Sequence, residues 1–347
     1  MSGGVDSFRA ATLLKERGEE VFGIHMRLLP DASSSEEPLK SLTSRLDIPL
    51  TVVDLREPFE REVIRPFLEA YRQGSTPNPC VLCNPRIKFG LLLQKARLLG
   101  ADRLASGHYA KIHPPASGSD RFSLHRGLDP GKDQSYFLYG LTQSQLSSLV
   151  LPLGDLTKRE VQQWAIDEGL TPSIAAESQE ICFIPAGNYY DFLQERLNLS
   201  SFFSKGPIVD MNGKVLGEHK SICAYTIGQR RGLGIASTAP YYVVSIEAET
   251  NTVRVGRADD LLRDELRADG VNWVSIPAPA KPLYARVRIR NQHKPAGAWI
   301  TPHGASEVSI RFDEPQQAVT PGQAAVFYRE DLLLGGATIR SASWSRN

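Results

Sequence analysis

Residues Met1 to Leu14 read MSGGVDSFRAATLL, a pair of glycines running into a stretch with helical apolar spacing. Glycine lets the backbone approach an anion closely. The run from about Ser7 to Arg17, stopped by Gly18, would turn its free N–H groups and the positive end of its dipole toward that turn. Two readings fit S-G-G alone: a nest for a phosphate-like anion, or a glycine-rich turn that only caps a helix. No G-x-x-x-x-G-K-[ST] string occurs anywhere, so the loop is not of the Walker type.

Outward from this loop the patterns alternate. Strands are expected near Val21–Met26, Leu50–Leu55 and Arg103–Ser106, with helices near Phe59–Arg72 and Ile87–Leu99, the second ending at Gly100. This is α/β wiring with a parallel sheet. Thr157 and Glu160 form a T-x-x-E capping box ahead of VQQWAIDEGL, whose helix should end at Gly169. After about Asn198 the character changes: IVDMNGKVLGEH carries an Asn-Gly turn between β-type runs, and YYVVSIEAETNTVRVG reads as another strand pair. From about Leu266, YARVRIR, SEVSIRF and AAVFYRE have strand length and pattern. The expected organisation is a catalytic α/β domain over 1–198, a β-rich central domain over 199–265 and a C-terminal β-barrel over 266–347. DASSSEEP and PPASGSD read as exposed loops.

With 40 Lys and Arg against 39 Asp and Glu, the net charge of +1 gives no global warrant for nucleic-acid binding, so any such binding must come from local patches. The apolar runs are too short to cross a bilayer and no secretory signal is evident, so a cytoplasmic protein is expected. Four cysteines without a secretory context argue against a disulfide scaffold, and the close pair Cys80 and Cys83 in STPNPCVLCNPRIKFG reads as redox-active, nucleophilic or metal-binding.

SGGVDS resembles the pyrophosphate-binding loop of the PP-loop ATP pyrophosphatases. Such a loop should follow a buried strand, yet only Met1 precedes Ser2, so a truncated sequence or a misassigned start is expected. The segments STPNPCVLCNPRIKFG, ASGHYAKI, GKDQSYFLYGL, SQEICFIP, YTIGQRRGLGI and FDEPQQAVTPGQAAVFY extend the resemblance, in order and over nearly the whole chain, to the tRNA-specific 2-thiouridylases. The resemblance implies ATP, with magnesium, as the adenylating substrate. It implies sulfur transfer to the position-2 carbonyl of the wobble uridine in the tRNAs for Lys, Glu and Gln. On the matching positions, Ser2, Gly3, Gly4, Val5, Asp6 and Ser7 would hold the pyrophosphate, and Met26 and Gly107 would help seat the adenosine. Cys182 would carry a persulfide received from a sulfur-relay protein or cysteine desulfurase, and Cys83 would be the nucleophile that leaves a Cys83–Cys182 disulfide. Asn78, Pro79 and Cys80 would flank the target base, and His108, Lys132, Asp133, Gln134, Arg288, Ile289 and Gln323 would contact tRNA.

Blander readings stand beside these. Taken alone, His108 reads as a structural hydrogen-bonding residue, Lys132 as a solvated charge, Cys182 as a small buried hydrophobe and Cys223 as core. In ARVRIR, Ala285, Val287 and Ile289 would face a core while Arg286, Arg288 and Arg290 line the other face, suited to phosphates or simply to water. The family usually has an aromatic at Ile289, so stacking there is not expected. It commonly has an aspartate at Cys80. Either Cys80 is a spare thiol, or Cys80, Cys83 and Cys182 together ligate a 4Fe-4S cluster that binds sulfide. The rival functions are a PP-loop enzyme that delivers ammonia to the same adenylate, and a noncatalytic RNA-binding protein whose C-x-x-C holds zinc.

Overall fold

The computed structural model describes residues 1–30, 36–170, 181–184, 189–197 and 204–344. The expected boundary at 198/199, most of DASSSEEP and part of SQEICFIP lie outside them. Helix α1 spans Val5–Glu16, capped by extended Gly4 and closed by Arg17, and Gly18 turns the chain away at φ +78. Strand β1 (Gly23–Arg27) pairs in parallel with β2 (Leu50–Asp54), and helix α2 (Glu36–Arg45) lies between them in sequence. A second parallel pair joins β3 (Leu104–Ala105) to β6 (Leu149–Val150); between them in sequence comes the hairpin of β4 (Ala110–His113) and β5 (Ser123–Arg126). Among the described residues of this α/β part, the parallel strands form two separate pairs. Met1 lies against β1: its amine donates to the Ile24 carbonyl, and its own carbonyl sits 2.8 Å from His25 Nδ1.

Two long helical runs pack over these strands. One is α3 (Arg56–Phe59), a π-helical stretch (Glu60–Ile64) and α4 (Arg65–Arg72). The other is α5 (Pro79–Cys83), a π-helical stretch (Asn84–Leu91) and α6 (Leu92–Leu98). The second begins eight residues earlier than the apolar periodicity suggests. Asn78 accepts a hydrogen bond from the Cys80 N–H at 3.2 Å, and Pro79 occupies the first helical position, where its missing N–H removes nothing. The proline-rich loop is therefore a helix start. Short α7 (Gln143–Leu146) and α8 (Lys158–Asp167) follow; the expected capping box is present in α8, with Glu160 N donating to Thr157 Oγ1 and the Glu160 carboxylate accepting from Thr157 N.

The central unit is a four-stranded sheet of β7 (Gly206–Val209), β8 (Val215–His219), β9 (Tyr242–Glu247) and β10 (Thr252–Gly256), in the order β8-β7-β10-β9. Gly213 makes the expected turn between β7 and β8 at φ +83, and Asp210 Oδ1 accepts from the Asn212 and Lys214 amides. The C-terminal unit is a closed six-stranded barrel of β11 (Leu262–Trp273), β12 (Leu283–Arg288), β13 (Ala296–His303), β14 (Glu307–Gln317), β15 (Ala324–Arg329) and β16 (Leu332–Ser343). Its order is β11-β14-β13-β12-β15-β16, and β16 returns to β11. Leu266, Val287, Ile300, Ile310, Phe327 and Ile339 fill it. The sheet does not stop at the barrel: β16 also pairs with β5, Leu332 opposite His125 and Leu333 opposite Leu124. Among the described residues no helix is long and apolar enough to cross a membrane.

Candidate active site

The first half of the site is the loop before α1. Gly3 has φ +86, a left-handed conformation that a side chain would strain, and Gly4 opens onto free space, with Ser2 Oγ 3.7 Å from where a Cβ would stand. No side chain caps α1, so its first amides stay open. The loop is closed on itself by Ser7 Oγ, which donates to the Gly4 carbonyl at 2.9 Å and accepts from the Ser2 amide at 3.2 Å. An uncapped, glycine-lined helix start of this kind fits a phosphate group. Met26 is half-buried on β1. Gly107 lies against the loop, and a Cβ there would come within 2.7 Å of the Asp6 backbone carbon.

Asp6 is held by two residues that sequence reading does not single out. Lys158 Nζ donates to both carboxylate oxygens at 2.7 and 2.8 Å, and Tyr109 Oη donates to Oδ1 at 2.7 Å. The Lys158 side chain is only 6% exposed. It occupies the first position of α8, where the helix dipole disfavours a cation, so the ion pair to Asp6 compensates for a locally poor choice. That misfit, a lysine directly after a well-formed cap, is the signal in the sequence. Asp129 fixes the same corner by accepting from the Lys158 amide at 2.9 Å.

The second half of the site is the thiols. Cys80 and Cys83 stand three apart on the single turn of α5, hence on one face, with Cys83 buried and Cys80 exposed. Cys182 is exposed as well; taken alone the sequence reads it as buried. The reason lies in its neighbour. Phe183 is buried and packs edge-on to Phe59 and Phe67 at 5.6 and 5.2 Å, so it takes the core position and leaves Cys182 outward. Burial pushes the Cys83 thiol up to about 12; the Lys88 ammonium opposes the rise, and the nearby Cys182 and Cys80 add to it. The surrounding protein also raises Cys182 and Cys80 although both reach solvent, with Cys80 adding to the rise at Cys182 and Lys88 opposing it at both. Lys88 is a residue the sequence reading passes over. Enclosure, then the same ammonium, holds His108 well below the usual imidazole range; its Nδ1 is 2.7 Å from Ser106 Oγ and its ring tilts against Phe89. Cys223 is core, as expected, 3.7 Å from the Tyr71 carbonyl.

Among the described residues no group of three or more His, Cys, Asp or Glu side chains is placed to hold a metal ion, so the cluster reading of Cys80, Cys83 and Cys182 gains no support.

The residues expected to meet tRNA are largely engaged within the protein. The three-arginine face is not one face: β12 ends at Arg288, and this side chain turns inward while Arg286 and Arg290 stay exposed. Arg288 Nη1 donates to Asp133 Oδ2 at 2.8 Å, with side chains 10% and 2% exposed, and its guanidinium lies over the Tyr136 and Tyr328 rings. Asp133 Oδ1 also accepts from the Ser135 and Gly127 amides. Ile289 is buried. Gln134 Oε1 accepts from the Tyr109 amide, and Gln323 Nε2 donates to the Thr76 carbonyl at 2.8 Å. Lys132 is half-buried. Thr76 is a junction: its amide donates to Pro321 of the barrel and its hydroxyl is 3.5 Å from Thr226 of the central unit, just ahead of Asn78 and Pro79.

Three family models match the chain: a tRNA methyl transferase HUP domain over residues 1–186, a tRNA methyl transferase PRC-barrel domain over 190–257 and an aminomethyltransferase beta-barrel domain over 263–339. A relative from Moorella thermoacetica is 46% identical, with 99% of each chain covered, and one from Geobacter metallireducens is 46% identical over 99% of this chain and 96% of its own. A third, from Syntrophotalea carbinolica, is 47% identical over 98% and 97%. All three are named tRNA-specific 2-thiouridylase MnmA. With matches of this extent along its whole length, the chain belongs to the tRNA-specific 2-thiouridylase family.

Proposed function

We propose that this chain is an ATP-dependent sulfurtransferase that converts the wobble uridine of the tRNAs for Lys, Glu and Gln to 2-thiouridine, releasing AMP and pyrophosphate. The observation that carries the reading is the gathering of three thiols about one ammonium: Cys182, far from Cys80 and Cys83 in the chain, lies near enough to raise Cys83, Cys80 raises Cys182, and Lys88 opposes the rise at both. The methyl-transferase wording of two of the family models fits the site less well, because thiols in company with an anion-binding loop suit sulfur delivery to an activated carbonyl.

Ser2 to Ser7 hold the nucleotide's phosphates, with Lys158 keeping Asp6 oriented and Gly107 closing the loop from above; Met26 lines the adenosine side. Magnesium accompanies the nucleotide and supplies charge neutralisation at the phosphates. Attack of the uridine O2 on the α-phosphorus expels pyrophosphate and turns a poor leaving group into AMP. The terminal sulfur of a Cys182 persulfide, loaded by a relay protein or a cysteine desulfurase, bonds to C2 and AMP departs. The Cys83 sulfur then attacks Cys182 Sγ and breaks the bond between it and the transferred sulfur, which stays on C2. The product is a Cys83–Cys182 disulfide, which two external thiols, or one dithiol, reduce by exchange, leaving as a disulfide themselves. Asn78, Pro79 and Cys80 flank the base, and His108, Lys132, Gln134, Gln323, Arg286 and Arg290 meet the RNA; Asp133, Arg288 and Ile289 shape the surface from below. The expected units 1–198, 199–265 and 266–347 serve as catalytic, linking and RNA-holding parts, with the last boundary drawn back to Leu262, where β11 begins.

The test is one reaction: protein, ATP, unmodified tRNA and a persulfide donor. Two-thiouridine at the wobble position with one AMP per sulfur is expected, and Cys83→Ser and Cys182→Ser should still bind tRNA but form no product. ADP in place of AMP, or AMP release with no dependence on tRNA, overturns the reading.

A further inference from the structure

The segment Tyr225 to Ile235, YTIGQRRGLGI, has no part in the chemistry above, yet it builds a hydrogen-bonded loop carrying two arginines and no acidic residue. Its base is closed by two backbone bonds, Gly228 N to Val243 O at 2.8 Å and Val243 N to Gln229 O at 3.0 Å. The Gln229 side chain braces it from within, accepting from the Thr226 amide and donating to the Arg231 carbonyl. Gly232 and Gly234 have φ +76 and +66, conformations that demand glycine although space is open around both. The returning arm is pinned by Arg257, which donates to the Ala239 and Pro240 carbonyls and stacks on Tyr241 at 3.8 Å. Arg257 is thus consumed in building the loop. Arg230 and Arg231 are not: both are exposed, and neither has an ion-pair partner among the described residues. Between the arms lies a cavity of about 420 Å³ lined by Arg230, Gly232, Gly234, Ser237, Pro240 and Tyr241.

The loop starts where the thiol helix is anchored. Thr226 meets Thr76, and Gly228 lies so close to Ala318 of the barrel that a Cβ would come within 2.8 Å of it. Cations fixed here therefore sit at a set offset from Asn78, Pro79 and Cys80. We propose that Arg230 and Arg231, on this braced loop, form a phosphate-binding site for the tRNA backbone that sets the distance between an RNA stem and the thiols. The inference rests on the proposed tRNA reaction. Two adjacent unpaired guanidiniums and a glycine-rich backbone suit the evenly spaced phosphates of a nucleic acid.

The experiment measures the affinity of the wild-type protein and of the Arg230→Glu/Arg231→Glu and Arg230→Ala/Arg231→Ala variants for unmodified tRNA over a range of salt, with ATP binding as the control for folding. The alanine pair should weaken binding about tenfold at low salt and reduce the slope of log K against log salt by about 1 to 2, with a larger loss for the glutamate pair. ATP binding should be unchanged. Equal affinities and slopes with intact ATP binding overturn the site. Unchanged tRNA binding with lost capture of a persulfide-carrying protein overturns the RNA assignment in favour of a protein partner. A wild-type protein that binds no tRNA at any salt overturns the reaction itself, a result distinct from the other two.

Discussion

Replacing Arg288 tests whether it is a contact to RNA or a staple between the barrel and the catalytic unit. Its guanidinium is almost closed off from water and its partner Asp133 more so, so Arg288→Met strands a carboxylate with only the Ser135 and Gly127 amides to accept from, at 3.0 and 3.3 Å. Breaking a buried pair from one side costs about 3 to 5 kcal/mol, and Arg288→Glu, which buries two carboxylates together, should lie at or above that range. Removing both charges in Arg288→Met/Asp133→Leu should recover most of the loss, leaving a coupling of about 2 kcal/mol or more in the double-mutant cycle. Denaturant unfolding followed by tryptophan fluorescence suits the measurement, since Trp273, Trp299 and Trp344 lie in or beside the barrel. If Arg288→Glu unfolds at the wild-type midpoint while its loss of tRNA affinity fades with salt, the side chain is a phosphate contact and the staple argument fails.

Three further outcomes are expected. Lys158→Met removes two charge-assisted bonds from a part-exposed Asp6, which at about 1.5 to 3 kcal/mol each in full burial should lower ATP affinity at least tenfold by calorimetry. Lys158→Arg should recover part of this, and unchanged affinity in the methionine variant would remove Lys158 from the nucleotide site. Because burial raises Cys83 from 9.0 to about 12, the thiol's contribution to folding is complete below pH 9 and is lost as pH climbs from 9 toward 12. Alkylation at pH 8 should therefore mark Cys80 and Cys182 and spare Cys83, as peptide mapping can show, and Cys83→Ala should flatten the alkaline fall in stability. Phe183→Ala should cost about 3 to 5 kcal/mol by the usual cavity arithmetic and slow sulfur transfer with every thiol intact; wild-type turnover in that variant would mean that Phe183 does not position Cys182.

Local chemistry made much of this architecture readable. The stops at Gly18, Gly100 and Gly169 are all left-handed glycines, and Thr157 with Glu160 starts its helix where the capping box says it must. The same rules, applied more fully, would have found α5, because Asn-Pro is a cap followed by a first helical residue. What stayed hidden is long-range. Nothing near Asp6 announces Lys158, 152 positions on. The alternation in ARVRIR was right for Ala285, Val287 and Ile289 but misleading for Arg288, because strand pairing ends there and a buried carboxylate from another unit draws the side chain in. Cys182 reads as core until Phe183 is seen to take that place.

The pairing of β16 with β5 bears on how the molecule can be divided. The hairpin of β4 and β5 belongs in sequence to the catalytic unit, but its outer edge is covered by the barrel's last strand. Cutting the chain before β11 would leave β5 with a row of unpaired amides and carbonyls and Leu124 without its cross-strand partner Leu333. Bare edges of that kind recruit other chains. A catalytic fragment expressed without the barrel should therefore self-associate, so any activity it lacked would say little about RNA binding.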